Sequence, residues 1–335
     1  MQFPTVKLAA VQASSVFLDR ERSIDKAARL ILEAGRNGAN LVGFPESFLP
    51  GFPSWVFHAN SMRAGGRLFA RLYKNAVSLD GDDLVVLQEA ARSARIHVCM
   101  SATELAGGSL YLTQFWLNPE GELIAKHRKL KPSAGERTVW GEGDGSTLRV
   151  LQTPVGRMGG LQCWEHFMPL VVAAMAQQTE QIHVASWPPA AFTDAGLFQP
   201  MRACKEAALG VQPINSGDDM SSRELTSRHY ALSTQSFVVM ATGMMSDEGI
   251  EIICAEDESL RPHFKVGGGG ARIIGPDGLV LSGILPATEE GIVYATAPLE
   301  MLIYGKYVLD IAGHYSVPQV LSLQQNQSPP KSLAL

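Results

Sequence analysis

"VGRMGGLQCWEH", Val155 to His166, is the stretch whose reading decides the fold. Glycines bend the chain, the apolar run Gly159–Cys163 reads as a strand, and polar residues follow at once. A helical pattern then runs from Pro169 to Gln178, and "QIHVASW" (Gln181–Trp187) reads as the next strand. This is a strand–helix–strand unit. A cysteine, a carboxylate and an imidazole (Cys163, Glu165, His166) lie where its first strand leaves the core. Cys163 can be a nucleophile, a metal ligand or a small buried apolar residue, and taken by themselves these residues favour the last.

The same alternation extends along the chain. "VKLAAVQA" (Val6–Ala13) reads as a buried strand. A helix over about Asp19–Gly38 follows, with Asp19 as N-cap and Ile24, Ala27, Ala28, Ile31 and Leu32 on one face. "NLVGFPE" (Asn40–Glu46) is the next strand, and helical patterns cover about Arg63–Val77 and Asp82–Ala94. "IHVCMSATE" and "LYLTQFWLNPEG" read as strands, the second closed by a turn at Asn118–Gly121, with "ELIAKHRK" (Glu122–Lys129) as hairpin partner. Beyond Cys163, helices are expected near Met201–Leu209 and Leu225–Ser236, and a strand at "FVVMATG". Gly267–Gly270 reads as a loop, and a late hairpin turns at Pro276–Gly278. No linker divides the chain. Residues 1–321 are expected to form one α/β domain, and residues 322–335, rich in Gln, Asn, Ser and Pro, a flexible tail.

Composition narrows the classes of function. The 335 residues carry 46% hydrophobic and 18% charged side chains with a net charge of -5. That is the balance of a globular enzyme, with no basic run to hold nucleic acid. No stretch reaches the ~18 apolar residues of a membrane span. The start, "MQFPTVKLAAVQASSV", does not read as a signal peptide. Four scattered cysteines (Cys99, Cys163, Cys204, Cys254) do not make a disulfide framework, so a reducing cytoplasm is expected.

Three further places gather chemistry. Glu165 and His166 beside Cys163 offer metal ligands, but no second Cys/His pair stands at zinc spacing. His166 is too near in sequence to be an ordinary dyad base and reads as structural. Lys129 ends the "ELIAKHRK" strand inside "HRKLKPSAGERTVWGEGDGS" (His127–Ser146), which is either a solvated charge run or an ordered loop packed through Leu130, Pro132, Val139 and Trp140. A lysine beside the thiol is expected to favour the thiolate, as is a helix N-terminus aimed at it. Glu46 ends the second strand, either exposed at the sheet edge or buried with a raised pKa suited to proton transfer.

Together "FPES" with Glu46, "HRKLKP" with Lys129 and "QCWEH" with Cys163 resemble the three-part signature of the carbon–nitrogen hydrolase superfamily. Glu136, "IHVASWP" (Ile182–Pro188) and "DIAGHYSVPQVLSL" (Asp310–Leu323) resemble its nitrilase branch, although Val317 stands where nitrilases often have Arg. The resemblance covers about residues 5–323. It implies a four-layer αββα sandwich that pairs through its helices and assembles into spiral homo-oligomers, with Asn215–Arg228 and the tail as contact segments. It implies hydrolysis of an organic nitrile to acid and ammonia with no metal or organic cofactor. Cys163 would be the nucleophile, Glu46 the proton relay, Lys129 the charge stabiliser and Glu136 the group orienting it. Glu165 and His166 would support the site, with Phe52, Trp55, Trp164, Trp187 and Phe192 as aromatic candidates around the substrate. The alternatives are an amidase or nitrile hydratase on the same scaffold, or an inactive filament-forming protein.

Overall fold

The computed structural model describes residues 3–58, 62–190 and 221–328. Its first strand, β1 (Thr5–Ala13), alternates apolar side chains to both faces, because it is covered on both sides. Val6, Leu8 and Ala10 face one core, and Ala9, Val11 and Ala13 another. β1 feeds α1 (Arg20–Arg36), whose N-cap Asp19 accepts from Arg22 N. β2 (Leu41–Gly43) is shorter than the expected Asn40–Glu46, because Pro45 has no N–H to continue the ladder.

α2 (Met62–Lys74) and α3 (Val85–Ala94) precede the antiparallel strands β3 (His97–Ala106), β4 (Ser109–Leu117) and β5 (Leu123–Arg128). The turn between β4 and β5 closes as expected through Gly121 N to Asn118 O, with Gly121 at φ +80°. In the second half, β6 (Leu151–Thr153) and β7 (Gly156–Gln162) lead into α4 (Pro169–Gln177) and β8 (Ile182–Trp187). Then come α5 (Ser222–Thr234), β9 (Phe237–Gly243), α6 (Asp247–Cys254), β10 (Arg272–Ile274), β11 (Gly291–Pro298) and α7 (Met301–Val308). The late hairpin is a strand on one side only, its return being a single bridge from Ile274 to Val280. The helix expected at Met201–Leu209 lies outside the described residues.

The strands form two sheets that fork apart. One runs β5-β4-β3-β2-β1 and adds β11 beside β1, while the other runs β6-β7-β8-β9 and adds β10 beside β9. They join where Gln12 and Ala13 pair with Thr242 and Gly243. Between them, Leu8, Leu41, Cys99 and Trp116 pack against Met158, Ile182, Val184, Phe237 and Val239. α1 and α3 cover the outer face of the first sheet, and α4 and α5 that of the second. The result is a single-domain αββα sandwich, each layer contributing one apolar face.

A third apolar cluster closes one end of the sandwich. Phe17, Phe52, Trp55, Leu68, Trp140, Ile250 and Phe264 come from loops, α2 and α6. β2, β5 and β7 all finish at the site described next. The tail begins on the body, because Leu323 packs beside α4 and Gln325 Nε2 donates to Gly145 O and Leu148 O.

Candidate active site

Three strand ends place three reactive side chains. Cys163 directly follows β7, Lys129 directly follows β5, and Glu46 lies just beyond β2. Glu136 joins them from the 3-10 helix Ala134–Thr138, itself fixed by a reciprocal cap with Ser133. All four side chains are buried. Lys129 Nζ donates to Glu46 Oε1 and to Glu136 Oε2, each at 2.8 Å. Carboxylate oxygens of both glutamates and the Cys163 sulfur lie within 4.8 Å of one another. Those three groups could hold a metal ion, but the Lys129 ammonium already stands between the carboxylates and supplies the positive charge there.

The backbone holds these groups firmly. Lys129 N donates to Leu112 O, and Lys129 O accepts from Gly143 N, both at 2.8 Å. Glu46 N donates to Trp187 O at the end of β8. Cys163 opens the 3-10 turn Cys163–Phe167 at φ +48°, a conformation an L-residue adopts only at a cost of about 1–3 kcal/mol. Glu165 stabilises that turn: its Oε2 accepts from Gln162 N, and its Oε1 from Leu130 N and His127 Nε2. One carboxylate therefore ties the segment carrying Cys163 to the segment carrying Lys129.

Burial decides the electrostatics. It pushes Glu46 up to about 8 against the opposing pull of Lys129. Glu46 Oε2 is buried with no hydrogen-bond partner, which leaves a lone pair open for a proton. Burial lowers the affinity of Lys129 for its proton, but Glu136 and Glu46 outweigh it and hold the ammonium well above its ordinary range. The thiol corrects the sequence expectation. Burial and the Glu46 charge push Cys163 well above the ordinary thiol value, and the opposing effects of Lys129 and the Trp164 N–H do not compensate. The helix read beyond the turn, α4, starts at Pro169 as expected. The thiol needs a base, and a carboxylate oxygen of Glu46 lies within 4.8 Å of its sulfur.

Glu165 and His166 flank the turn. Although burial opposes it, the His127 ring and two backbone N–H groups hold Glu165 below the usual carboxylate range. Burial drives His166 down to about 3, so it is a neutral imidazole, with its Nδ1 2.7 Å from Cys163 O. Of the four aromatic candidates in the described residues, three are core: Phe52 packs on Trp140, Trp55 on Phe17, and Trp187 on His166. Trp164 keeps an exposed part beside the nucleophile and meets Phe167 edge-on. Phe192 lies outside the described residues. Sequence reasoning overlooked His127; its signal was the alternation of β5, which buries His127 while its neighbours Lys126 and Arg128 turn to Glu104.

Residues 7–307 match the family model described as carbon-nitrogen hydrolase. The chain is 43% identical to a nitrilase of Bacillus sp. (strain OxB-1) over 99% of its own length and 91% of the relative's. It is 42% identical to an aliphatic nitrilase of Rhodococcus rhodochrous, covering 96% of this chain and 83% of that one. An arylacetonitrilase of Aspergillus kawachii is 35% identical over 95% and 91%. Among solved structures, a carbon-nitrogen hydrolase from Helicobacter pylori G27 superposes with a TM-score of 0.69 at 16% identity, covering 91% of this chain and 92% of that one. An amidase from Nesterenkonia sp. gives 0.60 at 17% identity, covering 90% and 94%. At those identities the likeness concerns the fold.

Proposed function

The chain belongs to the carbon-nitrogen hydrolase family, among its nitrilases, and on that footing we propose that it hydrolyses an organic nitrile through a covalent bond to Cys163. The observation that carries this reading is the buried meeting of Cys163, Lys129, Glu46 and Glu136 from separate strand ends and a loop.

The chemistry follows from the charges. A nitrile carbon is a weak electrophile, so the neutral thiol must lose its proton as it attacks. Glu46 takes that proton on its open oxygen, a role suited to a carboxyl poised near neutrality. The new C–S bond yields a thioimidate after the nitrile nitrogen receives the proton. Water, deprotonated by Glu46, adds to that carbon to give a tetrahedral intermediate. Lys129 and the Trp164 N–H stabilise the charge that develops beside the sulfur. The C–N bond breaks, ammonia leaves with the proton, and a thioester remains. A second water releases the carboxylic acid and returns the proton to sulfur. Glu136 keeps Lys129 aimed and charged. If sulfur leaves before nitrogen, the product is the amide.

Residues 1–321 form the catalytic unit of this reading, and a cytoplasmic enzyme fits its free thiols. Among the described residues no helix is long and apolar enough to cross a membrane. Exposed Leu170 on α4, with Leu225 and Leu232 on α5, supports a homodimer paired through these helices. Further assembly into spirals would use the segment Asn215–Arg228 and the tail after Ser322, of which residues 215–220 and 329–335 lie outside the described residues. The test is a panel of aliphatic, aromatic and arylaceto nitriles and their amides, assayed for ammonia, acid and amide. Acid and ammonia from a nitrile are expected, and turnover of amides alone would overturn the reading.

A further inference from the structure

A buried chain of polar groups under the second sheet takes no part in the reaction above, yet it ends on the nucleophile's own carbonyl. His166 Nδ1 lies 2.7 Å from Cys163 O, and His166 Nε2 lies 2.9 Å from His183 Nε2. His183 Nδ1 is 2.9 Å from Glu180 Oε1, whose other oxygen accepts the Tyr230 hydroxyl at 2.5 Å. His183 belongs to β8, Glu180 stands just ahead of it, and Tyr230 belongs to α5. All four side chains are buried, with the His183 and Tyr230 rings stacked at 3.9 Å. Polar groups buried this deeply must be satisfied or they are costly.

Counting hydrogens along the chain gives it a direction. A carbonyl only accepts, so His166 Nδ1 must carry the proton. His166 is neutral, because burial and the neighbouring His183 disfavour its cation, and its Nε2 is therefore a bare lone pair. His183 Nε2 must then donate. One proton remains in the contact between His183 Nδ1 and Glu180 Oε1, carried either by an imidazolium facing a carboxylate or by a carboxylic acid facing a neutral ring. Both arrangements hold the same number of protons, so the group is neutral as a whole. Take that proton away and the single ring proton left to His183 cannot serve both neighbours. If it stays with Glu180, two lone pairs face each other between the imidazoles.

We propose that His183 and Glu180 are positioning residues for Cys163. Their shared proton locks His166 in the tautomer that holds the Cys163 carbonyl, and so keeps the strained turn aimed with the sulfur toward the substrate. The strain is the reason a restraint is required: at φ +48° the Cys163 backbone gains by relaxing unless its carbonyl is held. The inference rests on Cys163 being the reactive thiol.

Alkylation of Cys163 by iodoacetamide, followed by mass spectrometry, reads thiol presentation without any nitrile. It is measured beside kcat and KM for His183→Leu, Glu180→Leu and Glu180→Gln. Glutamine can donate from its amide to His183 Nδ1 and accept from Tyr230, so it keeps His183 Nε2 donating to His166, as the protonated carboxyl does, without a charge. Both leucine variants should lose roughly 10- to 100-fold in kcat and in alkylation rate, with KM within about threefold, the signature of a misaimed nucleophile. Glu180→Gln should stay within about threefold of the parent in both. Unchanged alkylation in the leucine variants would overturn the proposal, as would Glu180→Gln falling as far as Glu180→Leu. If His183→Leu does not fold, the two Glu180 variants decide the matter. If neither leucine variant folds, Glu180→Gln at parental rates supports the proposal and its loss overturns it. A parent that alkylates at Cys163 but turns over no nitrile would sink the functional reading and leave this one to be judged on alkylation.

Discussion

Lys129 Nζ lies 2.8 Å from Glu46 Oε1, and neither side chain reaches solvent. With Glu136 on its other side, one ammonium holds two buried carboxylates together. A buried ion pair is weak evidence for stability, because desolvation consumes most of its Coulomb gain, but breaking one leaves charge stranded.

Lys129→Ala should therefore cost folding stability as well as activity. Removing the ammonium leaves Glu46 and Glu136 facing each other, a loss of about 3–5 kcal/mol read by urea unfolding. A variant as stable as the parent would mean that the carboxylates escape to solvent when the lysine is gone.

Glu46 predicts opposite pH trends for rate and stability. Burial raises its folded-state value to about 8, above the reference 4.5 that stands for the unfolded chain. The folded chain keeps this proton over a window in which the unfolded chain has released it. The contribution to stability is complete below about 4.5 and is lost as pH rises through about 8. The base, by contrast, works only when deprotonated, so kcat/KM should rise through the same upper region. Glu46→Gln should abolish turnover and flatten the fall in Tm from pH 5 to pH 9. An equal fall in both proteins would place the titration elsewhere.

Cys163→Ala should end ammonia release from every nitrile while leaving the chain folded, since the thiol donates no bond that the fold needs. Cys163→Gly adds a second reading. Glycine accepts φ +48° freely, so it should equal or exceed the alanine variant in stability by up to about 1 kcal/mol. Calorimetry of the pair checks this, and a less stable glycine variant would show that the turn is not strained.

Glu165→Ala should damage both catalytic segments together. It orphans the N–H groups of Gln162 and Leu130, each next to a reactive residue or its neighbour. The expected loss is about 1–3 kcal/mol for each stranded group, with a fall in kcat. Glu165→Gln, which still accepts through one oxygen, should lie between alanine and the parent.

Gly143 is a packing test of the same loop. An added Cβ there would collide with the backbone oxygens of Arg128 and Lys129. Gly143→Ala should destabilise the chain by roughly 1–3 kcal/mol and shift Lys129, lowering kcat more than it raises KM. Parental Tm and rate would show that the loop yields without cost.

Much of this molecule is legible in its sequence. Apolar runs located β1, β4 and β9, and a period-3.6 pattern located α1, because strands covered on both faces are apolar throughout while a helix repeats its apolar residues on the one face it buries. Turn chemistry located the Asn118–Gly121 hairpin. Cys163, Lys129 and Glu46 stood out because each is a reactive group at the end of an apolar run, and their joint spacing matched a family signature. What the sequence alone misjudged was energetic. A lysine beside a thiol suggested a thiolate, but the sign depends on how much burial and how many carboxylates surround both groups. Three of the four aromatic candidates are buried in apolar clusters, and an aromatic side chain reads the same in a pocket wall and in a packed cluster. The role of His166 also came only from its neighbours: its tautomer is dictated by Cys163 O on one side and His183 on the other. Local patterns decided which elements form and which residues carry chemistry. Charge, protonation and strain are sums over groups far apart in sequence, so only the tertiary structure decided them.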